Sequence, residues 1–234
     1  MKRNVGQDRR EGQEGQEGQE GQEGQEGQEL RVFVVAFMLK VALTGGIATG
    51  KSYVLEQFRR RGVPTLDADS LAHGVTASGT EATAAIATRF GADILADDGS
   101  VDRAKLGSII FADAAARRDL EALVHPAVYR AIVAGLRAFE LLEASPLAVV
   151  DVPLLYESGH AEDFDRVIVT ACPPDLQRAR LMARGLSDGE ARQRIAAQWS
   201  TEDKARRATF VIRTDGTFEE TDRQVDEILT KLRG

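Results

Sequence analysis

The sequence predicts an α/β protein: three layers, with about five parallel strands between helices and a helical insertion. Three observations lead there. Residues 45–52 read Gly-Gly-Ile-Ala-Thr-Gly-Lys-Ser, a match to G-x-x-x-x-G-K-S. An apolar run precedes that loop and a helical pattern follows it. Further apolar runs alternate with helical patterns to the end of the chain, the order of a parallel sheet covered on both faces.

Each element has a local reason. The run LKVAL at 39–43 is short, apolar and followed within two residues by a glycine pair, so it reads as a buried strand. The loop 44–50 follows. From Lys51, KSYVLEQFRRRG reads as a helix, with Val54, Leu55 and Phe58 at helical spacing and Gly62 ending it. VPTLDAD at 63–69 reads as a second strand that ends in carboxylates. Strand, glycine loop, helix, strand is the context that turns a bare motif into a P-loop NTP hydrolase-type fold.

Residues 70–145 are mostly helical in pattern: SGTEATAAIATRFG, DRAKLGSIIFA, DAAARRDLEALV, and HPAVYRAIVAGLRAFELLEA. Ser78 and Asp113 are candidate helix caps. This block is too long for one crossover helix and reads as an insertion suited to a substrate site. PLAVVDVPLLYE at 146–157 predicts a third strand and DRVIVTACPP at 165–174 a fourth. DLQRARLMARGLSDGEARQRIAAQ predicts two helices broken at Gly185, then RATFVIRTDG a last strand and FEETDRQVDEILTKLR the closing helix. Ligands of such a sheet bind at the carboxyl ends of its strands.

Composition narrows the class. The 234 residues are 43% hydrophobic, 29% charged and 6% aromatic, which suits a soluble globular protein with a sizeable core. A net charge of −7 argues against a general nucleic-acid binder. The single cysteine, Cys172, excludes an internal disulfide and fits a reducing cytosol; after the apolar VIVT it reads as a core thiol. No run reaches the roughly 18 apolar residues that span a bilayer. VFVVAFML at 32–39 is the best candidate, but its acidic upstream flank and the lack of a small-residue cleavage site argue against a secretory signal. The expectation is a cytoplasmic monomer or weak homo-oligomer, without membrane or nucleic-acid partners.

Residues 12–29 are six tandem Gly-Gln-Glu copies. They have no apolar face to bury and should be disordered. Residues 1–29 hold four basic and eight acidic side chains, so this tail supplies −4 of the −7. Two readings stand: a real solubilising or docking extension, or translated repetitive DNA with the true start at Met38. The second is favoured, because Met38 lies just before KVALTGG. Residues 1–37 are thus set apart from a domain at 38–234.

The chemistry gathers on few residues. Backbone N–H groups of the loop and the helix start face phosphates, so Gly46, Ile47, Ala48, Thr49, Gly50, Lys51, Ser52 and Tyr53 form the nucleotide-binding set. ATP and Mg²⁺ are the expected ligands: Lys51 reaches the β and γ oxygens, and the Ser52 hydroxyl ligates the metal. Asp67 and Asp69 end the second strand beside this loop. Asp69 is the candidate catalytic carboxylate; Asp67 caps or orients. Asp151 ends LAVVD, where an aspartate holds the metal, often through water, or makes a structural turn. Arginines 178, 180, 184 and 194 flank Gly185 and Gly189, and such a segment can close over ATP. Arg184, beside the glycine break, is the best catalytic candidate. His73, His125 and His160 show no metal spacing; His125, before Pro126 at a helix start, is the one singled out.

Together these motifs resemble the dephospho-CoA kinase family. ALTGGIATGKS, DAD, HP, DVPLLYE, and RIAAQ with a lysine (Lys204) six residues on follow that family's order and approximate spacing over about 39–232. The resemblance implies transfer of the ATP γ-phosphoryl group to the ribose 3′-hydroxyl of dephospho-CoA. It also implies Asp69 as base, a helical substrate-binding part at about 70–145 in which His125 helps hold dephospho-CoA, and a lid at about 178–195 carrying Arg184. The chain departs from the family pattern at Ala48 (a glycine in the family), Tyr53 (a threonine), Gly185 (an aspartate), Thr209 (an aspartate) and Thr214 (an asparagine).

Rival readings are a nucleoside monophosphate kinase, which would differ in its acceptor, and a non-catalytic ATP-binding module. A GTPase lacks support because no N-K-x-D occurs, and an ABC-type ATPase because no L-S-G-G-Q occurs.

Overall fold

The computed structural model describes residues 38–142 and 145–234. The readings made for residues 1–37 lie outside the described residues. Five strands form one parallel sheet: β1 (Leu39–Gly45), β2 (Thr65–Asp67), β3 (Leu147–Asp151), β4 (Arg166–Ala171) and β5 (Phe210–Arg213), in the order β2-β3-β1-β4-β5. β1 sits centrally, paired to β3 from Leu39↔Leu147 to Leu43↔Asp151 and to β4 from Val41↔Arg166 to Gly45↔Thr170.

Alternation along the strands splits the core into two layers. Val41, Leu43, Leu147, Val149, Ile168 and Ile212 point to one face, where they meet α1 (Lys51–Arg60) and α9 (Phe218–Arg233) through Val54, Phe58, Val225 and Ile228. Ala42, Ala148, Val150, Val167 and Val169 point to the other, against α2 (Ala68–Val75) and α5 (Ala114–Leu141) through Ala68, Val128, Ile132 and Leu136. Both faces are covered, so the middles of the central strands, residues 41–43, 147–150 and 167–169, are apolar at every position. α3 (Glu81–Phe90) and α4 (Arg103–Ala112) close a separate small cluster of Ile86, Ile94, Val101 and Leu106. α6 (Pro174–Ala183), α7 (Asp188–Ala196) and α8 (Thr201–Arg207) complete the chain's helices before β5.

Several local expectations are corrected. The two patterns expected as helices on either side of His125 are one 28-residue helix, α5, so His125 and Pro126 lie within it and not at a start. Proline removes one helical hydrogen bond at a cost of about 3 kcal/mol. Burial of Val128, Ile132 and Leu136, each worth about 1.5–3 kcal/mol, outweighs that cost. Asp113 caps α5 as expected, but α3 is capped by Thr80 and not Ser78. The second strand stops at Asp67, because its carboxylate accepts the N–H groups of Asp69 (2.9 Å) and Ser70 (3.1 Å) and starts α2 there. The third strand stops at Asp151, since proline at 153 cannot continue a ladder. The break at Gly185 is present, with φ 93° between α6 and α7, while α8 escaped the sequence reading because TEDKARR has no apolar face.

Candidate active site

β1 delivers Gly45 at its carboxyl end, and residues 46–50 turn into α1. Gly50 has φ 84°, a left-handed conformation natural to glycine. No side chain caps α1 and its first turn holds no acidic residue, so the N–H groups there can receive an anion. A Cβ on Gly46 would lie 2.6 Å from both Gln177 Nε2 and Thr201 Oγ1; glycine lets α6 and α8 press against the loop.

Ala48 takes φ 60°, a left-handed conformation that costs an L-residue about 1–2 kcal/mol and that glycine would adopt without strain. Packing pins it: Ala48 is buried with Leu181 and Ala191, and Arg180 Nη1 donates to its carbonyl at 3.1 Å. The rest of the loop is held from behind. Thr49 Oγ1 donates to the Gly46 carbonyl at 2.7 Å, and Thr214 Oγ1 donates to the Thr49 carbonyl at 2.7 Å. Ile47 N–H donates to Gln198 Oε1 at 2.8 Å, and Gln177 Nε2 donates to the Ile47 carbonyl at 2.7 Å.

Lys51 lies in the first turn of α1, and its ammonium donates to Asp151 Oδ1 at the end of β3. Asp151 is 4% exposed. Burial pushes its carboxyl up to about 6; the Lys51 ammonium opposes that shift, while the Asp67 and Asp69 carboxylates add to it. Asp67 is in register with Asp151 across β2 and β3. The Lys51 ammonium and the charges of Asp67 and Asp69 thus all bear on Asp151, at the carboxyl end of the sheet and beside the loop. Ser52, next to Lys51, keeps its hydroxyl exposed.

Asp69 stands exposed in the first turn of α2 and lines a cleft of about 230 Å³. His125 lines the same cleft, so the fold brings these two residues together across 56 positions of sequence. Tyr129, Pro153 and His160 share the wall. The Tyr129 and His160 rings stack with centroids 3.6 Å apart, and His160 Nδ1 lies 2.8 Å from Asp163 Oδ2. His160 carried no signal in the sequence, because Tyr129, the ring that sets it on the cleft wall, is 31 residues away on α5.

A second cavity, about 420 Å³, opens on the other side of the loop. Gly50, Tyr53, Arg180, Arg184, Thr214 and Phe218 line it. The Tyr53 and Phe218 rings sit 4.7 Å apart, and the Tyr53 hydroxyl donates to Asp222 Oδ1 at 2.9 Å. Arg184, just past α6, is exposed with its guanidinium unpaired among the described residues. Arg180 is committed to the loop, with Nη2 also donating to the Thr214 carbonyl at 2.6 Å. Arg178 pairs with Asp188 at 3.0 Å, and Arg194 lies exposed on α7.

Two departures from the family pattern are accounted for locally. Thr214 braces the phosphate loop, and Thr209 Oγ1 accepts Val167 N–H at 3.1 Å beside β4. Sequence reasoning assigned no role to Glu157, Trp199 or Lys204, which the fold joins: Lys204 is fully buried and its ammonium lies 2.8 Å from Glu157 Oε1.

Among the described residues, no cluster of three or more His, Cys, Asp or Glu side chains could hold a metal alone. Mg²⁺ on a nucleotide needs no such cluster, since phosphate oxygens and water fill most of its octahedron. A hydroxyl (Ser52) and a buried carboxylate (Asp151) beside the loop are a fitting donor set. No helix of the described residues is long and apolar enough to cross a membrane.

Comparison with known proteins agrees with this geometry. The family model described as dephospho-CoA kinase matches residues 39–220. A dephospho-CoA kinase of Anaeromyxobacter dehalogenans is 47% identical over 201 residues, spanning 84% of this chain and 93% of its own. One from Geobacillus kaustophilus is 44% identical over 192 residues, spanning 82% and 95%. Among solved structures, the Thermus thermophilus protein TT1252 superposes with a TM-score of 0.71 at 33% identity, covering 84% of this chain and 99% of its own. The dephospho-CoA kinase from Campylobacter jejuni does so with a TM-score of 0.64 at 27% identity, covering 82% and 96%.

Proposed function

We propose roles for this site from one premise: the chain belongs to the dephospho-CoA kinase family. It transfers the γ-phosphoryl group of ATP to the ribose 3′-hydroxyl of dephospho-CoA, the last step of coenzyme A synthesis. The observation that carries the assignment of roles is the junction at Asp151. There the Lys51 ammonium pairs with the Asp151 carboxylate, which is in register with Asp67 at the end of β2, and Val152 and Pro153, which follow Asp151, line the cleft containing Asp69.

The loop from Gly46 to Ser52 cradles the phosphates through its N–H groups. Lys51 exchanges Asp151 for the β and γ oxygens, and Tyr53 contributes to the nucleotide side of the loop. Asp69 accepts the proton of the 3′-hydroxyl as that oxygen bonds to the γ-phosphorus and the bond to ADP breaks. The proton ends on the Asp69 carboxylate and the electron pair on the ADP oxygen. His125 helps hold dephospho-CoA in the cleft, and the helical block at about 70–145 forms its walls. Arg184, on a lid at about 178–195, neutralises charge gathering on the transferring group. Ser52 and Asp151 would hold Mg²⁺, which when bound screens the phosphate charge. The single buried thiol, Cys172, fits a reducing cytoplasm. We read the working form there as a monomer or weak homo-oligomer, without nucleic-acid or membrane partners.

The test is ADP release with dephospho-CoA, AMP, CMP or no acceptor. Strong stimulation by dephospho-CoA alone is expected. Equal or greater stimulation by AMP or CMP would overturn the assignment in favour of a nucleoside monophosphate kinase.

A further inference from the structure

Lys204 is an ammonium with no exposed surface, on a short helix far in sequence from any motif that binds phosphate. An unpaired charge so placed is very costly, so its partners define what it does. Its Nζ lies 2.8 Å from Glu157 Oε1 and donates to the Pro153 carbonyl at 3.3 Å. Pro153 lines the cleft that holds Asp69 and His125, and its carbonyl also accepts the Thr44 hydroxyl at 3.1 Å, at the foot of the phosphate loop. Val152, Leu154 and Ser158 of the same turn line the cleft as well.

Glu157 Oε1 has a second partner, the Trp199 N–H at 3.0 Å. Trp199 follows Gln198, whose Oε1 accepts the Ile47 N–H within the phosphate loop. Two residues further, Thr201 Oγ1 donates to Gln177 Oε1 at 3.3 Å, and Gln177 holds the Ile47 carbonyl. Residues 198–204 therefore form a strap. One end is bonded to the loop that receives ATP, and the other to the turn that walls the opposite cleft. The Lys204–Glu157 pair is the knot where both ends meet, and the parallel Tyr156 and Trp199 rings, 6.0 Å apart, lie beside it.

We propose that Lys204 and Glu157 are positioning residues that couple the two halves of the site, so that nucleotide seated on Ile47 sets the 152–158 turn for the acceptor. Neither residue lines the cleft with Asp69 or the cavity beside the loop. The inference rests on the kinase reading above. A displacement of about 1 Å at the reacting centre can cost on the order of 10²-fold in rate.

The experiment uses the full chain with ATP and dephospho-CoA. Rates of wild type, Lys204→Met, Lys204→Arg, Glu157→Gln and the Lys204→Met/Glu157→Gln double variant are measured over a grid of both substrates. All are taken at a temperature where thermal unfolding curves show each protein fully folded. In the wild type the KM for dephospho-CoA should fall as ATP rises. In Lys204→Met and Glu157→Gln that dependence should vanish and kcat should fall at least about 10-fold, with ATP binding changed by only a few-fold. Lys204→Arg should recover part of the loss, and the double variant should be no worse than the worse single. Should Lys204→Met fail to fold, Glu157→Gln, which keeps the size and an acceptor oxygen, decides between the outcomes. Folded variants with wild-type kcat and unchanged mutual dependence of the two substrates overturn the inference. A wild type that does not phosphorylate dephospho-CoA would instead overturn the kinase reading.

Discussion

Lys51 on α1 and Asp151 at the end of β3, one hundred positions apart, form an ion pair beside the glycine loop, at the carboxyl end of the sheet. Each is largely shielded from water: the Lys51 side chain is 15% exposed and that of Asp151 5%. The pair sets a cation in the first turn of α1, and that cation opposes the upward push of burial on the Asp151 carboxyl.

That burial makes a pH-dependent stability difference. The Asp151 carboxyl is raised from 3.8 to about 6 in the folded chain. A raised value means that the fold prefers the neutral acid. The contribution is complete below pH 3.8 and lost as pH rises through about 6. A shift of this size corresponds to about 3 kcal/mol. The stability of the wild type relative to Asp151→Asn, measured by denaturant unfolding, should therefore fall between about pH 4 and 6 and level off above about 7. A difference that stays constant or grows over that range contradicts the burial argument.

Lys51→Ala should abolish detectable turnover and weaken ATP binding by at least about 10-fold, since a charged hydrogen bond is worth about 1.5–3 kcal/mol. It also strands Asp151 without its cation, which drives that carboxyl further toward its neutral form. Calorimetric titration with ATP and an ADP-release assay check both effects. Retained ATP affinity would remove Lys51 from the phosphate site.

Asp69→Asn should lower kcat by on the order of 10²-fold or more, the scale of a lost general base. Asp69 is exposed at the cleft and not part of the loop, so ATP affinity and melting temperature should stay near wild type. Turnover close to wild type in this variant would refute its role as base.

Arg180 and Arg184 should separate cleanly. Arg180 donates to the Ala48 and Thr214 carbonyls, so Arg180→Ala leaves two acceptors unmet and should cost about 2–4 kcal/mol of stability. Arg184 makes no such bonds among the described residues, and Arg184→Ala should lower kcat with a change in stability within about 0.5 kcal/mol. Thermal unfolding beside steady-state rates distinguishes them. Equal destabilisation by both substitutions would contradict the division of labour.

Much of this protein was determined locally. Gly-x-x-x-x-Gly-Lys-Ser after an apolar run sets a phosphate loop, because only that backbone and that spacing present N–H groups and an ammonium to one anion. The runs LAVV and VIV set buried parallel strands, because chain covered on both faces is near-continuously apolar until the strand ends. Asp67 was readable as a cap for the same reason: its bonds reach only two and three residues ahead. Tertiary packing decided the rest. It carried α5 through Pro126, because burial of Val128, Ile132 and Leu136 exceeds one lost hydrogen bond. It brought Asp69 beside His125, Lys51 against Asp151, and Lys204 onto Glu157, pairs separated by tens of residues. No periodicity records such pairs. Their energies arise only when burial removes the water that would otherwise solvate each charge alone.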